Sequence, residues 1–144
     1  MVREINVNEL TENIREMCIQ ANYYLAPDMD ACMRQAAETE KSELGTKILN
    51  QLLENLEIAD GEQIPICQDT GMAVIFMEIG QDVHFIGGNF EEAVNEGVRQ
   101  GYRDGYLRKS VVNDPLIREN TKDNTPAILH TQIVSGDKVK ITVA

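Results

Sequence analysis

Basic residues are scarce in this chain: 13 Lys and Arg stand against 24 Asp and Glu, a net charge of −11 over 144 residues. An imbalance of that size disfavours nucleic acid and anionic lipid as partners, because their recognition rests on neutralising Lys and Arg. It also repels small dianions, so any carboxylate-binding site must bring its own local cations. Acidity of this kind is ordinarily a solubility feature. Long hydrophobic runs are missing too. No stretch of about 18 apolar residues occurs, which excludes a membrane-spanning helix. The opening Met1-Val2-Arg3-Glu4-Ile5-Asn6 has no apolar core of a secretory signal, so a cytoplasmic location is expected. Cysteine is limited to three residues, with no C-x-x-C pair. An odd count without a secretion signal argues against a disulfide framework and for reduced thiols.

What is present is the mixture of a soluble globular protein, 42% hydrophobic and 26% charged. The length predicts a single domain over 1–144, large enough to bury a core without staples. Val7, Leu10, Ile14, Met17, Ala21, Tyr24 and Leu25 recur at helical steps, opened by Asn6 or Asn8 and closed by Pro27. A second helix is predicted from Asp28 or Asp30 to about Glu40. A third runs from Ser42, with Leu44, Ile48, Leu52, Leu53 and Leu56 on one face, to a stop at Asp60-Gly61. The pattern then turns to strands: Ala73–Ile79 and Val83–Ile86 read as one hairpin, and Ala127–Val134 and Lys138–Val143 as another, around Ser135-Gly136-Asp137. Between them, Phe90 to about Leu107 returns to helical spacing, with Gly97, Gly101 and Gly105 forming a flat stripe suited to tight helix packing. Residues 111–125 read as a polar loop. The expected class is α+β, an N-terminal helical layer packed on a small, mainly antiparallel sheet. The last strand-like run has no turn or polar tail after it, so the chain is expected to be a truncated piece of a longer one.

The most unusual segment is Pro65-Ile66-Cys67-Gln68-Asp69-Thr70-Gly71. It sets a thiol, an amide, a carboxylate and a hydroxyl on consecutive loop residues, and loops on rigid scaffolds are where functional groups concentrate. A thiolate there is a suitable iron–sulfur ligand, and a carboxylate two residues on can serve as acid or base beside a metal. The plainer reading is a polar turn with a free cysteine, and the segment alone favours it. Cys18 and Cys32 fall within predicted helices without ligand-type neighbours and are assigned to packing. Arg108, in Leu107-Arg108-Lys109-Ser110, matches a carboxylate bidentately, although an arginine at a helix end more often complements the dipole. Asn120-Thr121-Lys122-Asp123-Asn124-Thr125-Pro126 supplies several hydrogen-bond donors without pointing to one task. His84 and His130 lack a second ligand and read as solvated or satisfied. Asp69-Thr70-Gly71 is also the short signature of aspartic proteases, but that motif belongs after an apolar strand in an all-β protein, whereas here it follows some 60 helical residues.

These segments in this order resemble the N-terminal region of class I fumarate hydratases and the α subunit of L-tartrate dehydratases. The matching pieces are Pro65 to Gly71, Gly87-Gly88, Tyr106 to Ser110, Asn113-Asp114-Pro115-Leu116 and Asn120 to Ala127. The resemblance implies an iron–sulfur hydro-lyase that adds or removes water across a carbon–carbon bond of a dicarboxylate, by default fumarate to L-malate and alternatively tartrate. It implies a 4Fe–4S cluster held by three cysteines, with Cys67 the first ligand and the other two expected beyond residue 144. Gln68 and Asp69 match substrate-binding positions, Asp69 with a catalytic acid, base or orienting role, and Arg108 matches a carboxylate-binding arginine. The expected partners are a small dicarboxylate and a β-type subunit or domain, in a homo- or hetero-oligomer. With one of three ligands in hand, the 144-residue chain alone is expected to be inactive. Outside the resemblance stand an aspartic-protease-like protein and a non-catalytic interaction module.

Overall fold

The structure, a computed structural model, describes residues 2–67 and 71–144. In chain order the elements are β1 (Arg3–Asn6), α1 (Val7–Tyr23), α2 (Pro27–Thr39), α3 (Glu43–Glu62), β2 (Val74–Gly80), β3 (Val83–Ile86), α4 (Phe90–Asp104), β4 (Ile128–Val134) and β5 (Val139–Val143). The chain divides into two compact units. One comprises the described residues of Met1–Ile19 and Asp69–Ala144, the other those of Gln20–Gln68.

The helices start where short polar side chains can take up the first free amides. Asn6 Oδ1 accepts from the Asn8 amide at 2.9 Å, Ser42 Oγ from Gly45 at 3.3 Å, and Asn89 Oδ1 from Glu92 at 2.9 Å. Each satisfies an amide that has no partner within its own helix. Pro27 opens α2, where its missing N–H costs nothing.

In the first unit the core gathers Leu10, Ile14 and Cys18 from α1, Ile75, Met77 and Ile79 from β2, and Val94, Val98 and Tyr102 from α4. The glycine stripe brings α4 against α1. A Cβ on Gly97 would lie 2.8 Å from Ile14 Cβ and 2.8 Å from the Thr11 carbonyl oxygen, and one on Gly101 would lie 2.8 Å from Cys18 Cβ. Thr11 Oγ1 donates across the seam to the Ala93 carbonyl at 2.9 Å. The second unit holds the α2–α3 helical pair, of which α2 buries no residue.

The α+β class with its N-terminal helices stands, but the sheet is not mainly antiparallel. β1 pairs with β3 in parallel, β2 pairs with β4 in parallel, and only β2 with β5 is antiparallel. Neither predicted hairpin forms. β2 and β3 leave for different partners, and β4 and β5 flank β2 from opposite sides, in the order β4-β2-β5. The cause is the helices between partners: parallel strands need a long crossover, and α4 supplies it between β2 and β4. β2 takes the centre because its alternate residues Ile75, Met77 and Ile79 are the ones buried. β1 escapes sequence reading, since Arg3-Glu4-Ile5-Asn6 has one apolar residue and no alternation to display.

Candidate functional site

Cys67 follows α3 by a short, well-anchored stretch. Its backbone amide donates to Asn55 Oδ1 on α3 at 2.8 Å, and the amide of the preceding, buried Ile66 donates to the Asn22 carbonyl at 2.9 Å. Gln63 leaves α3 with φ 54°, and its side-chain amide donates to the Tyr24 hydroxyl at 2.9 Å and the Asp60 carbonyl at 2.6 Å. The result is a thiol exposed to solvent on a backbone held at two successive amides. Sequence reasoning missed Asn55, which sits among ordinary helix positions and carries no local signal.

The other cysteines differ in kind. Cys18 is buried in the first unit, and burial pushes its thiol up to about 12, which keeps it protonated and makes it a packing residue. Cys32 does not pack as its helical position predicts: it is exposed, because α2 buries none of its residues. Among the described residues, no three or more His, Cys, Asp and Glu side chains gather to hold a metal ion. The donor set therefore fits one corner of a cluster: Cys67 on its anchored loop, with the exposed Cys32 on α2 joined by no other ligand-type cluster among the described residues. Gln68 and Asp69 lie outside the described residues. His84 is exposed, and His130 is stacked on Phe76 with ring centroids 5.1 Å apart.

Arg108 belongs to the other unit, on the stretch that leaves α4. Tyr106 turns the chain there with φ 53°. Leu107 and Val111 are buried, 4% exposed each, and between them Arg108, Lys109 and Ser110 stand exposed. Two buried anchors thus hold an outward-facing basic segment. Its backbone is tied to the 120–126 loop by several bonds: Asn120 Nδ2 donates to the Lys109 carbonyl at 2.9 Å, Asn124 Oδ1 accepts from the amides of Ser110 at 2.7 Å and Val111 at 3.1 Å, and the Thr121 amide donates to the Val111 carbonyl at 3.0 Å.

That loop, ambiguous in the sequence, is a polar buckle. Asp123 accepts from Arg99 Nε at 3.0 Å and from the Thr125 amide and hydroxyl at 3.0 and 2.8 Å. Arg99 also pairs with Glu96 on its own helix. Burial pushes the Asp123 carboxyl up, but the bonds from Thr125, Arg99 and Thr121 outweigh it and hold the group at about 2, ionised at neutral pH. Asn95 Oδ1 accepts from the Ala127 amide at 2.9 Å, fastening the far end of the loop to α4. Asn124 at the centre is fully buried. It adopts φ 61°, a left-handed conformation that asparagine tolerates better than most residues. Its Nδ2 donates to the Gly71 carbonyl at 3.2 Å.

A sequence profile of the family described as Fumarate hydratase (Fumerase) matches residues 11–144, and the chain belongs to that family. Among its relatives, an Escherichia coli K12 protein named Fumarate hydratase class I, aerobic, is 37% identical over 91% of this chain and 24% of its own length. Fumarate hydratase class I, anaerobic, of the same organism is 33% identical over 96% of the chain and 26% of its own length. A Methanocaldococcus jannaschii protein provisionally named L(+)-tartrate dehydratase subunit alpha is 33% identical over 81% of the chain and 41% of its own length. The chain thus spans between about a quarter and two-fifths of these relatives. Among the described residues, no helix is long and apolar enough to cross a membrane.

Proposed function

We propose that this chain forms part of an iron–sulfur hydro-lyase acting on a small dicarboxylate in the cytoplasm, with fumarate and L-malate as the default pair. The observation that carries the reading is an exposed Cys67 thiol on a fixed backbone, in a chain of the fumarate hydratase family. Cys67 contributes one thiolate to a 4Fe–4S cluster, and the remaining ligands come from elsewhere in the assembled enzyme. When bound, such a cluster with an open iron supplies Lewis acidity toward the substrate's oxygens. Arg108 pairs with a substrate carboxylate, its planar guanidinium giving two parallel charge-assisted bonds against a protein field that is otherwise negative. Gln68 hydrogen-bonds the substrate, and Asp69 moves a proton or orients the group that does. The tartrate dehydratase α-subunit relative favours a β-type subunit or domain as partner, and keeps tartrate as the alternative substrate.

The test uses the full-length protein and its partner, reconstituted anaerobically and assayed on malate and on both tartrate enantiomers. Turnover of one of these, with iron and sulfide bound and both lost in Cys67→Ser, is the expected result. A Cys67→Ser enzyme that keeps full iron content and turnover would sink the assignment. The isolated 144-residue chain is expected to hold no stable cluster, since among its described cysteines only Cys67 presents an accessible thiol on an anchored loop.

A further inference from the structure

Resting on that reading, we propose that Asn124 is a positioning residue, whose buried side chain sets Arg108 in place relative to the backbone at Gly71. Asn124 is the one fully buried polar side chain among the described residues of its unit, and it uses both ends of its amide. Oδ1 receives the amides two and three residues after Arg108, at 2.7 and 3.1 Å. Nδ2 donates at 3.2 Å to the carbonyl of Gly71, two residues after Asp69 in the sequence. The Tyr102 hydroxyl, in the α4 core, also hydrogen-bonds this amide. One planar group therefore links the backbone that presents the carboxylate clamp to the backbone at Gly71 that leads into β2.

The surroundings hold that group still. Asp123 is locked to Arg99 and Thr125 on one side. Asn120 holds the Lys109 carbonyl on the other. The side chain points inward, at φ 61°, from a loop whose other residues are half-buried or exposed. Asn124 does not reach substrate in this proposal; it acts through Arg108.

The test is a double-mutant cycle in the full-length, cluster-loaded enzyme. Asn124→Gly accepts the left-handed backbone and removes the amide. It should lower kcat/KM roughly 10- to 100-fold, the scale of a clamp misplaced by about an ångström. The loss should fall mainly on KM, as expected when ground-state and transition-state binding fall together. Iron content should stay at the wild-type level. In an Arg108→Met background the same substitution should add less than about two-fold, because the residue it acts through is already gone. If the Asn124→Gly effect is equal in both backgrounds, or only thermal stability changes, the positioning role is overturned while the hydro-lyase reading stands. If Arg108→Met alone leaves kcat/KM unchanged, the clamp itself fails and the proposal fails with it. Should Asn124→Gly not fold, Asn124→Asp goes through the same cycle. It keeps the acceptor for Ser110 and Val111 and loses the donor to Gly71. A smaller loss, absent from the Arg108→Met background, supports the proposal; no loss, or one that persists in that background, overturns it.

Discussion

Replacing Gly97 by alanine pits two effects of known size against each other. Alanine is about 1 kcal/mol better than glycine inside a helix, so the substitution would stabilise α4 if the new methyl met open space. It does not: the methyl would lie 2.8 Å from Ile14 Cβ and 2.8 Å from the Thr11 carbonyl oxygen. The second obstacle is backbone, which cannot rotate aside, so α1 and α4 must separate. Overpacking of this kind costs typically 1–3 kcal/mol, and separation also stretches the 2.9 Å bond from Thr11 to the Ala93 carbonyl, worth about another 1 kcal/mol. The net expectation is a loss of roughly 1–3 kcal/mol, or a fall in Tm of about 3–9 °C for a chain of this size. Guanidinium and thermal unfolding followed by far-UV circular dichroism measure both. Gly61→Ala in α3 is the internal control, because a Cβ there meets nothing within 4 Å. It should be neutral or gain up to about 1 kcal/mol. Gly97→Ala equal to or more stable than wild type would refute the close helix approach.

Asn55→Ala should leave α3 folded, since alanine favours helix, while freeing the Cys67 amide. The expected result is faster iron loss from the reconstituted enzyme under a chelator; an unchanged rate would show that this anchor does not matter. Cys18→Ala should leave iron content unchanged, because its thiol is buried and protonated, and lost iron would contradict the packing role. Asp123 has a folded-state pKa of about 2, below its ordinary value. Its contribution to stability is therefore fully present above about pH 4 and is lost as pH falls toward 2. Urea midpoints for wild type should drop more steeply across that range than those for Asp123→Asn, and parallel profiles would rule the contribution out.

The helices were legible because each carries its periodicity and its start signal within one short stretch; Ser42 and the apolar face of Leu44, Ile48 and Leu52 needed no distant information. Strand positions were legible for the same reason, but their partners were not. Gly80-Gln81-Asp82 is good turn chemistry, yet β3 pairs with β1 and not with the strand the turn joins it to. Pairing was decided by which strand could be buried on alternate positions and by the helices that bridge distant segments. In the candidate site, Cys67 was legible as a thiol in an irregular segment, and Arg108 as a cation near a helix end. What holds them was not. Asn55 looks like any helix asparagine, and Asn124 looks like one more polar residue of a loop, until its burial and its bonds to Ser110, Val111 and Gly71 are visible together.

The pairing of β2 with strands on either side has a consequence for the order in which the protein is made. The α2–α3 pair is local and can form while later residues are still in the ribosome. The other unit cannot close early, because Arg3 waits for Val83, Val74 for Ile128, and Ile75 for Val143. Until β5 emerges, β2, which buries Ile75, Met77 and Ile79 in the folded unit, has an open edge, the condition under which nascent chains misassociate. A ribosome-bound chain stalled before β5 should accordingly recruit more chaperone than one from which β5 has emerged, and equal recruitment would refute this order. Non-local pairing of this kind also makes refolding slow relative to helical proteins of similar length.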